Sequence, residues 1–268
     1  MILLYFVVFS AYAAAGYYEW RALHDAGGHS AVLDRVRGLL PLVLACHAYL
    51  IFRAVVSAEG LDLSLANALS AVAALAASFA WLGLLSGKLT GVAVMILPAA
   101  ACAVVLPVLF PNPHRYSFGE EPWAAFHIAI ALSAYALLIL AALQASVLMG
   151  LERRLHKGLA TGVGTTGPPL LTLERFLFRL VSCGYALLTL TLLSGILFSE
   201  EVFGRPLTFS HKIVFSVLAW LVYGALLIGR YRYGWRGRKA LGWVLTGTTF
   251  LVLAYIGSKF VMEVLLGR

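Results

Sequence analysis

Charge is what this sequence has least of. Asp, Glu, Lys and Arg together make up 12% of its 268 residues, against about 25% in an ordinary soluble domain. That scarcity excludes a disordered polar chain, and it excludes a soluble enzyme built around one core. Cysteine is nearly absent as well. The three present, Cys46, Cys102 and Cys183, lie singly within apolar runs. With no C-x-x-C or C-x-x-C-H motif, neither thioredoxin-like redox chemistry nor covalent haem attachment to this chain is expected. Also missing are G-x-S-x-G, H-E-x-x-H and Walker A motifs, which leaves the usual nucleophile, zinc and phosphate machinery without a sequence basis. What the chain does have is apolar residues, at 62% of the total.

A membrane-spanning helix needs about 20 apolar residues. Apolar runs fall at 1–20, 39–58, 65–87, 90–110, 123–149, 176–198, 208–229 and 241–265. They predict an all-α fold: a polytopic membrane bundle of eight transmembrane helices forming a single integral membrane domain over 1–268. Spanning strands are excluded because an open strand cannot satisfy its backbone in lipid. The start, Met1-Ile2-Leu3-Leu4, has no basic n-region, so an uncleaved first span is expected rather than a signal peptide.

The loops carry the net charge of +8 unevenly. Loops 21–38, 86–91, 150–175 and 230–240 hold thirteen Lys and Arg, whereas the alternate loops hold two, Arg115 and Arg205. The positive-inside rule therefore places the basic loops in the cytoplasm and both termini outside. The basic stretch Arg230–Lys239 suits anionic lipid headgroups rather than nucleic acid. Gly162–Gly167 matches G-x-G-x-x-G, but a membrane helix precedes it and Pro168-Pro169 follows, so it is read as a linker.

Ionisable groups at membrane depth are costly and mark candidate sites. The topology puts His47 near the middle of its span. It puts His127, His211 and Lys212 about one turn below the outer surface, and Lys259 and Glu263 near the outer end of the last span. The inner half is expected to be nearly free of such groups. Two neutral imidazoles on facing helices can ligate a metal or a haem iron, so His127 and His211 are candidate metal ligands, with His47 as an alternative. Lys212 at the same level can pair with a carboxylate. The bland alternative for each histidine is a structural hydrogen bond at a helix end.

The segment Trp123-Ala-Ala-Phe-His127-Ile-Ala-Ile-Ala-Leu-Ser133-Ala-Tyr135-Ala136 resembles the W-x-x-x-H…S-Y-A helix of the cytochrome c assembly family, the CcsA/CcmC-like membrane proteins. Leu193-Ser194-Gly195 and the span that follows continue the pattern. The resemblance covers about 70–266 and is nearest to the short bacterial YpjD-type branch of the inner membrane. The stretches 234–240 and 254–260 look like that branch. The family's tryptophan-rich loop, W-G-x-x-W-x-W-D followed by P-K, is replaced here by Phe203-Gly204-Arg205-Pro206-Leu207-Thr208-Phe209-Ser210-His211-Lys212. Two family histidines, which would fall near Ile228-Gly229 and Leu266, are absent.

The resemblance implies haem b handling as an assembly accessory rather than as a turnover enzyme, in a multi-pass bacterial inner-membrane protein. On that reading His127 is one axial ligand and His211 or His47 another. Trp123, Phe203 and Phe209 stack on the porphyrin, and Lys212 faces a propionate. Partners implied are haem and other membrane or periplasmic assembly proteins. The alternative is a haem-free adaptor or regulator that binds a soluble protein through its basic cytoplasmic loops.

Overall fold

The computed structural model describes residues 1–24, 31–57, 60–86, 89–111, 115–116, 122–156, 170–197 and 211–257. Eight α-helices form the bundle among them: α1 (Ile2–His24), α2 (Ala31–Val55), α3 (Leu65–Leu85), α4 (Thr90–Leu109), α5 (Pro122–His156), α6 (Leu170–Leu197), α7 (His211–Tyr233) and α8 (Gly237–Val252). A π-helical turn, Leu253–Gly257, continues α8. Seven of the eight, α1 to α7, are long and apolar enough to cross a membrane. With its π turn, α8 completes the expected all-α polytopic bundle.

Several helices overrun the apolar segments at the basic ends. The overrun is clearest in α5, whose 35 residues span about 52 Å, well beyond the hydrocarbon core. Its last turn carries Arg153, Arg154 and His156. Hydropathy marks only the part of a helix that sits in lipid, so these polar ends read as loop in the sequence.

Small residues set the packing. In a membrane, helices gain little from hiding apolar surface from lipid, so close van der Waals approach decides association. α3 buries Ala68, Ala71, Ala76, Ala77 and Ala80, and α4 buries Ala93, Ala100 and Ala101. A Cβ on Gly184 of α6 would sit 2.7 Å from Leu138 of α5, which shows how near those two helices come. Large apolar side chains such as Leu3, Leu42, Phe52 and Leu197 point outward, where lipid is their solvent.

One element was not expected. Val56–Ser57, Gly60–Asp62 and Arg115–Tyr116 form a small antiparallel sheet, with Val56 opposite Leu61 and Leu61 opposite Tyr116. It joins the loop after α2 to the loop after α4. Both loops belong to the sparsely charged set, so the sheet lies across the face opposite the basic loops.

The turn from α7 to α8 is built by its sequence. Gly234 and Gly237 have φ of 64° and 56°, a left-handed conformation that glycine adopts without Cβ strain. Trp235 folds back onto Gly229, where a Cβ would lie 2.4 Å from the indole. Arg230 then donates to the Trp235 carbonyl at 3.0 Å and to Glu174 at 3.1 Å, and lies over the Phe178 ring. Lys239 covers the Trp235 ring.

Candidate functional site

α5 starts, α6 ends, α7 starts and α8 ends on the face opposite the basic loops. Their alternation brings residues far apart in sequence to one level. His127 sits five residues into α5, about 8 Å along the helix. Its Nδ1 lies 2.8 Å from Ser194 Oγ on α6. Ser194 Oγ in turn donates to the Thr191 carbonyl at 3.1 Å. A hydroxyl has one proton, and a carbonyl can only accept it. With that proton on the Thr191 carbonyl, the Nδ1–H tautomer of His127 completes the chain by donating to Ser194. This is the arrangement in which a second partner orients a ligating imidazole. Gly195 lies beside the ring, where a Cβ would be in ordinary van der Waals contact with His127 Cε1 at 3.4 Å.

Lys212, the second residue of α7, lies close enough to His127 to act on it electrostatically. Its Nζ is 5.2 Å from the centroid of Tyr255, in the π turn. Tyr255 meets Tyr135 edge-on at 5.7 Å. Imidazole, ammonium and two phenol rings thus share one end of the C-terminal helices. His211 opens α7 beside Lys212 and is exposed, as is Trp123 on the first turn of α5. Phe203 and Phe209 lie outside the described residues, as do Lys259, Glu263 and the Gly162–Gly167 segment.

His47 is placed elsewhere. It is fully buried between α1, α2 and α3, with Tyr12 Oη 3.2 Å from Nδ1 and Ser70 Oγ 2.9 Å from Nε2. Both ring nitrogens of this arrangement are engaged, so His47 ties three helices together. Among the described residues, no three His, Cys, Asp or Glu side chains gather as a metal-binding group.

The half of the bundle near the basic loops corrects an expectation. It is not nearly free of ionisable groups. Glu19 of α1 is fully buried and receives two bonds from Arg37 of α2, Nε at 2.6 Å and Nη2 at 2.8 Å. Trp81 of α3 donates to the Arg37 carbonyl at 3.2 Å, which brings a third helix to the same knot. Glu174 receives Arg230 and approaches Arg236 at 3.9 Å. By hydropathy Arg37 falls in a loop and Glu19 at the edge of an apolar run. Neither signalled a partner in the other's helix.

The residues that sequence reasoning missed are Ser194, Tyr255, Tyr12 and Ser70. Ser194 stood in a recognised Leu-Ser-Gly triplet, but nothing in a single sequence pairs it with His127, 67 positions away. Small hydroxyl residues inside apolar runs were the available signal.

Comparison with known proteins bears on the same region. The family model for Cytochrome C assembly protein matches residues 38–266, beginning earlier than the motif resemblance does. The inner membrane protein YpjD of Escherichia coli K12 is 35% identical over 162 residues, 60% of each chain. The cytochrome c biogenesis protein CcsA of Thermosynechococcus vestitus is 24% identical over 208 residues, 65% of each chain. A CcsA of Prochlorococcus marinus strain MIT 9301 is 24% identical over 185 residues, 62% of this chain and 60% of its own. The matches thus span roughly three-fifths of these curated relatives' lengths. No solved structure matches the chain. The seven spans and the inner-membrane relative make this a multi-pass inner-membrane protein. With the match running through most of the chain and across His127 and Ser194, the protein belongs to the cytochrome c assembly protein family.

Proposed function

We propose that this protein binds and handles haem b during cytochrome c assembly, at a site in the outer leaflet. The observation that carries the proposal is the His127 ring, held through Nδ1 by Ser194 at 2.8 Å. The donor chemistry suits the group: a neutral imidazole for iron, a nearby ammonium for a carboxylate, and aromatic rings around them. His127 would hold the iron. His211 would be the second ligand, since His47 would have to give up Tyr12 or Ser70 to take that role. Lys212 would pair with a propionate, and Trp123, Phe203 and Phe209 would stack on the ring. Bound haem would supply a Lewis-acidic iron and a flat apolar macrocycle.

The chain's own part is to hold, orient and shield. Ser194 fixes the imidazole plane. Binding is non-covalent, since the chain has no C-x-x-C-H. The outer placement follows from the loop charges. The role is that of an accessory factor, acting with other membrane or periplasmic assembly proteins rather than turning over a substrate.

Protein purified from haem-replete membranes should show a Soret band that shrinks in His127→Ala. A colourless wild-type protein under those conditions would overturn the proposal. A second reading, a haem-free adaptor, draws on the ordered α7–α8 turn, which presents Arg232, Arg236 and Arg238 at the surface. Neutralising Arg236, Arg238 and Lys239 should then abolish co-purification of a soluble partner. Unchanged co-purification would count against it.

A further inference from the structure

The basic end of α6 carries a group of residues that the haem site does not use. Arg175 and Arg179 lie one turn apart on its outward face, with Thr172 one turn before them. Together with Phe176 these residues line a small surface cavity. The same helix exposes Leu171, Leu190, Leu193 and Leu197, so this face looks into lipid rather than into the bundle. Arg175 Nε donates to the Leu171 carbonyl at 3.3 Å, which holds its guanidinium along the helix.

Among the described residues neither arginine is paired with a carboxylate. Glu174, one position away, is already engaged by Arg230 and Arg236. Arg179 lies nine residues into α6, about 14 Å along its axis, and falls within the apolar run. A guanidinium on a lipid-facing surface at that depth is costly without an anion. On such a face, the anion at hand is the phosphate of a lipid headgroup. Arginine recognises phosphate through two parallel N–H bonds, and the Thr172 hydroxyl adds a donor.

We propose that Thr172, Arg175 and Arg179 form a binding site for the phosphate of an anionic phospholipid on the basic-loop side of the membrane. The site is independent of haem. Each basic residue near an anionic surface contributes about fivefold in affinity, so the two arginines together contribute about 30-fold.

The test uses the full chain in nanodiscs of phosphatidylcholine alone and of an equimolar mixture with phosphatidylglycerol. Phosphatidylglycerol retained on re-extraction is measured by native mass spectrometry, and thermal unfolding is followed in parallel. Wild type should retain phosphatidylglycerol and melt higher in the mixed discs. Arg175→Gln/Arg179→Gln should lose retention about 30-fold while melting like wild type in phosphatidylcholine. Arg175→Lys/Arg179→Lys, which keeps both charges but not the paired N–H fork, should lose part of the retention. Should the double variant fail to survive extraction, Arg179→Gln alone should lose about fivefold. Undiminished retention in the α6 variants would overturn the proposal. So would full retention in the lysine variant, or inorganic phosphate reproducing the stabilisation in phosphatidylcholine discs.

Discussion

Replacing Arg37 with Met leaves the Glu19 carboxylate in a site with no access to solvent. In the native bundle that carboxylate takes two charge-assisted bonds from one guanidinium, at 2.6 and 2.8 Å. Such bidentate pairs are the strongest of the protein hydrogen bonds. Removing one member of a buried pair costs about 3–5 kcal/mol, largely because the other charge stays desolvated. Arg37 keeps 18% side-chain exposure, which favours the lower end, so about 3 kcal/mol is expected. At roughly 2–4 °C per kcal/mol, the melting temperature should fall by about 6–12 °C. Thermal unfolding in mild detergent, followed by intrinsic fluorescence, measures this. Glu19→Gln/Arg37→Met removes both charges and should recover part of the loss, because the cost lies in the orphaned carboxylate more than in the missing attraction. If Arg37→Met shifts the melt by less than about 2 °C, or if the double variant loses the sum of the two single losses, the pair is not the buried knot described here.

Three further outcomes follow from the packing and the site. Ser194→Ala removes the group that orients His127, and apparent haem affinity by Soret titration should fall about 10- to 100-fold. Ser194→Thr, which keeps the hydroxyl, should lose less. His47→Ala should lower the melting temperature through loss of the Tyr12 and Ser70 bonds while leaving the Soret band per folded protein unchanged; a lost band would make His47 a ligand. Gly184→Ala forces a Cβ against Leu138 and should cost about 1–3 kcal/mol in a denaturant titration. Pairing it with Leu138→Ala should restore part of that stability, and a neutral single variant would contradict the close approach of α5 and α6.

The spans were legible because hydropathy and length are local properties. Twenty apolar residues in a row have few fates other than crossing a bilayer, whatever they pack against. The helix ends were less legible. Glu174, Arg230 and the 122–156 helix show polar residues continuing a helix beyond the lipid, where hydropathy no longer separates helix from loop. The small sheet between Val56 and Tyr116 escaped notice because strands of two or three residues carry no periodicity.

By itself the sequence determined the class, the spans, the uneven charge of the loops and the family. It also singled out His127, through its neighbours on one helix. Only the tertiary structure separated the histidines by chemistry. His47 meets Tyr12 and Ser70 across two other helices and is fully buried, whereas His127 meets Ser194 and has Lys212 nearby. The same holds for Glu19, whose charge is tolerable only because Arg37 faces it from α2. Hydrogen-bond satisfaction depends on which helix faces meet and in what register. In a membrane those choices rest on close packing of small residues, and the apolar pattern that directs each helix into the bilayer does not encode them.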